Sequence, residues 1–85
     1  MNTAQARNVI EAALLSAANP LSMSDLRRLF DDELDADTVR SMLESLQADW
    51  SERGVRLVAL AGGWRFQTAP EVAPFLARLH PEKPP

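Results

Sequence analysis

The sequence predicts a mainly α-helical domain with one small β-hairpin. Apolar residues recur at helical spacing in three segments before residue 51, with short turn signals between them. An apolar, β-branched stretch and a Gly-Gly pair follow near residue 60. Three helices followed by a hairpin is the order of a winged helix, in which the second and third helices form a helix-turn-helix and the hairpin is the wing. We expect one such domain over residues 1–80, because 85 residues leave room for no second one.

The first predicted helix runs from about Thr3 to Ala18. Its apolar face is formed by residues spaced three and four apart, namely Ala6, Val9, Ile10, Ala13, Leu14 and Ala17. Asn19-Pro20 ends this helix, because the residue before a proline is pushed out of the helical region.

The second and third helices each begin at a capping residue. Ser22, with Asp25 three residues on, resembles a capping box and starts a short helix that carries Leu26. Asp35 or Asp37 caps the third helix. The apolar stripe of the third helix is Val39, Met42, Leu43, Leu46 and Trp50. Gly54 is expected to end this helix in a left-handed conformation.

The wing is predicted from Val55–Ala61, a turn at Gly62-Gly63 and a return strand at Trp64–Thr68. Both glycines are expected to need backbone angles that a side chain makes costly. If Leu57 and Ala59 share the side of Trp64 and Phe66, then Val58 and Leu60 face outward. We select the residues of that outward side as candidates for a dimer or partner interface, namely Arg56, Val58, Leu60 and Arg65. The opposite registry stays open, because both faces of the first strand are apolar.

A last helix is predicted after Pro70, with Pro74 either distorting it or delaying its start. Its apolar residues are Val72, Phe75, Leu76 and Leu79. Residues 81–85 are rich in proline and are interpreted as a stiff linker. Across the chain, the predicted core consists of Ile10, Leu14, Leu26, Leu43, Leu46, Trp50, Trp64 and Phe66.

Catalytic and metal-dependent functions find no support in the sequence. The chain has no cysteine and a single histidine, His80, and it carries neither a phosphate-binding glycine loop nor a nucleophile elbow. We therefore predict a protein that is not an enzyme and uses no cofactor or metal. Without an apolar run of about 20 residues or a signal peptide, it is predicted to be soluble and cytoplasmic.

The distribution of charge argues against DNA binding, which the fold class would otherwise favour. Residues 35–53, which include the expected recognition helix, carry five acids and two arginines, so their net charge is −3. A helix that reads DNA should present arginine and lysine to the phosphates, and an acidic one repels a duplex. A DNA-binding transcriptional regulator remains the alternative to a protein-interaction scaffold.

The sequence resembles the N-terminal domain of the segregation and condensation protein B family. The matching segments are Val9–Leu15, Pro20–Ser22, Trp50–Gly54 and, most specifically, Ala61–Glu71, in which Trp64 stands where the family often has tyrosine. The resemblance covers Ala6 to about Pro81, which is the first half of a family protein, and a second winged-helix domain is expected to follow the linker.

The resemblance implies a scaffold without catalytic activity. Family members are accessory subunits of the bacterial condensin-like complex of SMC ATPase and kleisin, which acts in chromosome condensation and segregation. They form homodimers chiefly through this domain, and the dimer binds the central region of the kleisin. The expected partners are therefore a second copy and a kleisin, and through the kleisin the SMC ATPase. The expected location is the cytoplasm, in association with the nucleoid.

Overall fold

The computed structural model describes residues 1–79. Its elements are the helices α1 (Thr3–Ser16), α2 (Met23–Arg28) and α3 (Ala36–Asp49), the strands β1 (Val55–Leu60) and β2 (Gly63–Thr68), and the short helix α4 (Ala73–Leu76). This order confirms the predicted winged helix. His80 and the predicted linker at 81–85 lie outside the described residues.

Helix α1 begins in a capping box and ends earlier than the sequence predicts. The Asn2 side chain accepts a hydrogen bond from the Gln5 backbone amide, and the Gln5 side chain accepts one from the Asn2 amide. The helix stops at Ser16, two residues before the expected end at Ala18, because Ala17 is already extended with φ −76° and ψ 136°. This early exit lets the chain turn toward the hairpin.

Helix α2 begins at the predicted capping box. The Ser22 hydroxyl accepts from the Asp25 amide at 3.1 Å, and an Asp25 carboxylate oxygen accepts from the Ser22 amide at 3.0 Å. Two backbone donors at the helix start are thereby satisfied within four residues, which explains why so short a helix begins at this position.

The turn between α2 and α3 is tight and fixed by Arg27. Asp31 and Asp32 both have left-handed backbone angles, with φ 54° and 61°. The Arg27 side chain donates to the carbonyl oxygens of Leu34, at 2.8 Å, and Asp32, at 3.3 Å. One guanidinium group thus satisfies two carbonyls of the helix-turn-helix connection.

Helix α3 is capped by the first of the two predicted candidates. The Asp35 carboxylate accepts from the Thr38 amide at 2.7 Å. The prediction that Gly54 ends the helix in a left-handed conformation is wrong: α3 ends at Asp49, and Gly54 does not have a positive φ. Several turn residues separate the two, and the Gly54 carbonyl instead accepts from the Ala69 amide at 2.8 Å.

The hairpin has a two-residue loop, which lies one residue earlier than the sequence predicts. Leu60 pairs with Gly63, so Ala61 and Gly62 form the loop and Gly63 is the first residue of β2. The prediction that both glycines need unusual backbone angles is wrong for Gly62, since Gly63 alone among the described glycines has a positive φ, of 137°.

Gly63 also permits a close approach of two backbones. Leu21 and Trp64 exchange a pair of backbone hydrogen bonds, of 2.9 and 2.8 Å, so Leu21 forms an isolated antiparallel bridge with β2. A Cβ atom on Gly63 would lie 2.2 Å from the Leu21 carbonyl oxygen. The family-like segment around Gly63 therefore joins the wing to the chain that enters the helix-turn-helix.

The core lies between the three helices and the inward face of the hairpin. Its buried residues are Ala6, Ile10, Leu14, Leu26, Val39, Met42, Leu43, Leu46 and Leu57. The five aliphatic residues of the predicted core are all in this set. Ala69, directly after β2, is also fully buried.

The three aromatic residues of the predicted core lie at its edge, half-buried rather than enclosed. Trp64 and Phe66 pack against the core. Trp50 packs on Phe66 with ring centroids 4.7 Å apart, and its indole N–H donates to a Glu11 carboxylate oxygen at 2.9 Å. The Arg53 guanidinium lies 4.6 Å from the Trp50 ring centroid. A polar indole edge needs such partners, which explains why Trp50 lies at the surface end of its stripe.

The last helix begins later than Pro70, which is the second of the two predicted outcomes. Helix α4 is a single turn, Ala73–Leu76, with Pro74 in its first positions, where the missing N–H costs nothing. Backbone hydrogen bonds continue this turn as far as Leu79.

Candidate interaction surface

The strand register settles which side of the hairpin faces outward. Leu57 lies opposite Phe66, and Ala59 lies opposite Trp64, so these four residues share the core side. Val58, paired with Arg65, therefore lies on the other side together with Leu60. Of the two registries left open by the sequence, the structure has the one that turns Val58 and Leu60 outward.

The four candidate interface residues share this outward side, with different exposure. Leu60, at the tip, has 43% of its surface exposed, and Arg65 is exposed as well. Val58 and Arg56 are half-buried. We call this set (Arg56, Val58, Leu60 and Arg65) the wing face. Its apolar part is small, because only Leu60 is a large exposed apolar side chain there.

Arg56 ties the wing face to the segment that precedes α4. Its guanidinium binds the Glu71 carboxylate through two nitrogens, one of them 3.2 Å from its oxygen. Hydrogen bonding from the Glu71 backbone amide, followed by the bond from Arg56, lowers the pKa of the Glu71 carboxyl. The buried Nε of Arg56 has no hydrogen-bond partner among the described residues. The ion pair places the chain around Glu71 on the outward side of the hairpin.

A second apolar surface follows Glu71 in the chain. Phe75, Leu76 and Leu79 expose 61%, 42% and 72% of their surface, and every residue from 73 to 79 is exposed. With Val72 they form a stripe at helical spacing, which we call the α4 stripe (Val72, Phe75, Leu76 and Leu79). The spacing of these residues is visible in the sequence. Spacing alone did not show that the body of the domain leaves most of the stripe uncovered.

A shallow groove lies between α1 and α3. It has a volume of about 600 Å³ and is lined by Thr3, Ala4, Arg7, Thr38, Ser41, Met42 and Ser45. Arg7 donates to the Ser45 hydroxyl at 3.0 Å and forms an ion pair with Asp49. The groove is open and lined largely by small and hydroxyl-bearing side chains, and sequence reasoning did not identify it.

The exposed side of α3 is acidic in the structure as well. Asp37, Glu44 and Asp49 are exposed. Arg40 forms an ion pair with Asp37 at 3.1 Å, so one of the negative charges on this side is neutralised within the helix. The surface that a DNA-reading winged helix would present to phosphates therefore carries the wrong sign for that role.

Two carboxyl groups at helix starts have lowered pKa values because they accept capping hydrogen bonds. Hydrogen bonds from Ser22, the backbone amide first, lower the pKa of the Asp25 carboxyl, and hydrogen bonds from Thr38 lower that of the Asp35 carboxyl. Within residues 1–79, no group of three or more His, Cys, Asp or Glu side chains could hold a metal ion. None of the helices in that range is long and apolar enough to cross a membrane.

These features define a winged-helix domain with exposed apolar residues on the outward side of the wing and along α4, and with two further exposed leucines, Leu15 and Leu29, elsewhere. A family model, "Segregation and condensation complex subunit ScpB", matches residues 8–85. The chain belongs to this family.

Two curated relatives show how much of a family protein the chain spans. It is 40% identical over 86 residues to a segregation and condensation protein B homolog of Coxiella burnetii. It is 34% identical, also over 86 residues, to segregation and condensation protein B of Syntrophotalea carbinolica. Each alignment covers 99% of this chain, but only 41% and 43% of the respective relative. The chain thus spans about two fifths of the length of these relatives.

Solved structures agree with the fold. A crystal structure of a dimer of the ScpB N-terminal domain complexed with a ScpA peptide superimposes with a TM-score of 0.80 at 31% identity, and the match covers all of both chains. The crystal structure of ScpB from Mycobacterium tuberculosis superimposes with a TM-score of 0.83 over 94% of this chain and 50% of that one. At 24% identity, the second match bears on the fold alone.

Proposed function

We propose that this domain is a scaffold without catalytic activity in the bacterial SMC–kleisin complex, where it dimerises and helps to bind the kleisin. One observation carries the proposal: the solved relative that matches the chain over the full length of both is a dimer with a bound ScpA peptide. The family, the acidic α3 and the exposed apolar residues of the wing and α4 support the same role. The site of action would be the cytoplasm, at the nucleoid, and the chain would continue into a second winged-helix domain.

Peptide binding tests the kleisin part of the proposal. A fluorescent peptide from the central region of the cognate kleisin, titrated with the 85-residue chain, should show saturable binding by anisotropy. A peptide of the same composition in scrambled order is the control, because apolar attraction without specificity would bind both. Equal binding of the two peptides, or none at all, would remove the kleisin from the proposed function.

We propose that the wing face contributes to the contact between partners. Changing Val58 and Leu60 together to Ser should weaken self-association, because each large aliphatic side chain buried against a partner contributes about 1.5–3 kcal/mol. The dimer dissociation constant should then rise at least about tenfold. Sedimentation equilibrium and thermal unfolding are measured on the same protein.

The two measurements separate an interface from a core role. A large drop in melting temperature would mean that Val58 and Leu60 stabilise the fold, since large-to-small core substitutions cost about 2–5 kcal/mol. Leu15→Ser, at an apolar residue of α1 that is 50% exposed, serves as the matched control for the loss of an exposed leucine. An unchanged dimer constant in the double variant would exclude the wing face.

The alternative, a DNA-binding regulator, makes the opposite prediction for DNA. Because the exposed side of α3 is acidic, random and candidate duplexes at about 100 mM salt should bind no more tightly than the non-specific range, ~1–100 μM. Anisotropy with labelled duplexes measures this directly. Submicromolar binding to one duplex, with a preference over random sequence, would favour the regulator.

A further inference from the structure

The last described segment of the chain is helical but has almost nothing of its own domain to pack against. Residues 73–79 are all exposed, and α4 has neither a buried residue nor a side-chain cap. An isolated helix this short is marginal in water, because nucleation is costly and most helical stability in proteins comes from packing. A single helical turn with its apolar side uncovered is therefore incomplete as the structure of a lone monomer.

The apolar residues of this segment lie on one side. Val72, Phe75, Leu76 and Leu79 are spaced three and four apart, and Val72, the residue nearest the body, is half-buried. The other three include the two most exposed large apolar residues after Met1. The Arg78 guanidinium lies over the Phe75 ring, 5.2 Å from its centroid.

The wing face alone is too small for a stable interface. Stable contacts bury about 800 Å² on each partner, with an apolar centre. Leu60 is the one large exposed apolar side chain of the described wing face, whereas the α4 stripe adds three. The bond between Arg56 and Glu71 holds the segment that precedes α4 to the outward side of the hairpin, so the α4 segment starts beside the wing face.

We propose that the α4 stripe is the main self-association surface, on which the stripe of a second copy packs, with the wing face at its margin. The inference rests on the proposed dimer and assigns it to residues that the sequence alone did not single out for an interface. A second copy is the occupant because a solved relative that matches over its whole length is a dimer of the ScpB N-terminal domain, complexed with a ScpA peptide, so the dimer contact there lies within the matched unit.

The test compares two double variants, each of which replaces two exposed apolar side chains by Ser. Phe75→Ser with Leu79→Ser alters the α4 stripe, and Leu15→Ser with Leu29→Ser alters exposed leucines on other elements. The first pair should raise the dimer dissociation constant about a hundredfold or more, because two large side chains leave the interface. The second pair should leave it as in the unchanged chain. Sedimentation equilibrium from low micromolar to millimolar concentration measures all three proteins.

Each result decides one point. A monomeric unchanged chain would remove the proposed dimer and this inference with it. A dimeric unchanged chain with an equally dimeric α4 variant would overturn this inference alone. Equal weakening in both variants would indicate unspecific apolar contact and also overturn it. A marked fall in the melting temperature of the α4 variant at monomeric concentration would place Phe75 and Leu79 in the fold rather than the interface.

Hydrogen exchange provides a readout that needs no variant. The backbone amides of residues 75–79 should exchange fast in dilute monomer and slowly in concentrated dimer, because packing stabilises their hydrogen bonds. The amides of α3 should be protected at both concentrations, since its apolar side is buried in the core. Protection of residues 75–79 that does not depend on concentration would contradict the proposal.

Discussion

At the scale of single residues, Gly63 is the position with the least freedom. Its φ of 137° lies in a region that side chains rarely adopt, and its Cα faces the Leu21 carbonyl so closely that a Cβ would lie 2.2 Å from the oxygen. Gly62, its neighbour in the turn, has no positive φ, and a Cβ there would meet no atom of a more distant residue within 4 Å. Two adjacent glycines thus have different physical roles.

Gly63→Ala should destabilise the domain by about 3 kcal/mol or more, because it combines backbone strain with the loss of the hydrogen bonds between Leu21 and Trp64. Gly62→Ala should change the free energy of unfolding by less than about 1 kcal/mol. Urea unfolding followed by tryptophan fluorescence measures both. Similar losses at the two positions would contradict the close approach.

At the scale of secondary-structure elements, the helix starts follow from local chemistry. Asn2, Ser22 and Asp35 each accept a backbone hydrogen bond from the residue three positions on. Such contacts span four residues, so the sequence predicts the start of α2 and restricts that of α3 to two candidates. Helix ends depend on contacts with distant elements. For that reason the sequence did not predict that α1 ends early, at Ser16, or that Gly54 does not end α3.

The capping carboxylates make the stability of these elements depend on pH. Hydrogen bonds lower the pKa values of Asp25 and Asp35 in the folded state below the ordinary value of 3.8. A carboxyl with a lowered folded pKa stabilises the fold above its unfolded pKa, and this contribution disappears as the pH falls through the folded pKa. Stability should therefore fall on acidification below about pH 5.

Asp25→Asn combined with Asp35→Asn should reduce this acid sensitivity, because asparagine keeps the capping oxygen and cannot be protonated in this range. Urea unfolding at a series of pH values from about 7 to about 2 gives the free energy of unfolding of each protein across the acid range. Glu33→Gln, which removes an exposed carboxyl that caps neither helix, is the control and should behave like the unchanged chain. An equal loss of stability in the double variant and the unchanged chain would show that these caps do not cause it.

At the scale of the whole molecule, the sequence predicted more of the fold than of the interaction surface. Periodicity and turn signals were enough for the element order, and the five aliphatic core residues are all buried. The side of the hairpin on which Val58 and Leu60 lie needed the strand register, because both sides of β1 are apolar. The exposure of Phe75 and Leu79 could be found only from the three-dimensional structure, because periodicity shows that a helix has an apolar side but not what covers that side.

The acidic α3, the outward apolar residues and the family support the proposed contacts with proteins rather than with DNA. The domain contributes a rigid helix-turn-helix body, a wing locked to it through Leu21 and Trp64, and an uncovered α4 stripe. The body has its own buried core, so the proposed dimer would add contacts to a folded unit and cover the α4 segment.

The molecular mass of the 85-residue chain as a function of concentration tests the central claim most directly. A single chain has a mass of 9.4 kDa. Sedimentation equilibrium should show that the average mass rises reversibly with concentration from that of one chain to that of two, with a midpoint at tens of micromolar or below. Such a midpoint corresponds to a binding free energy of ~6–7 kcal/mol or more. A mass that stays at one chain up to millimolar concentration would contradict the account.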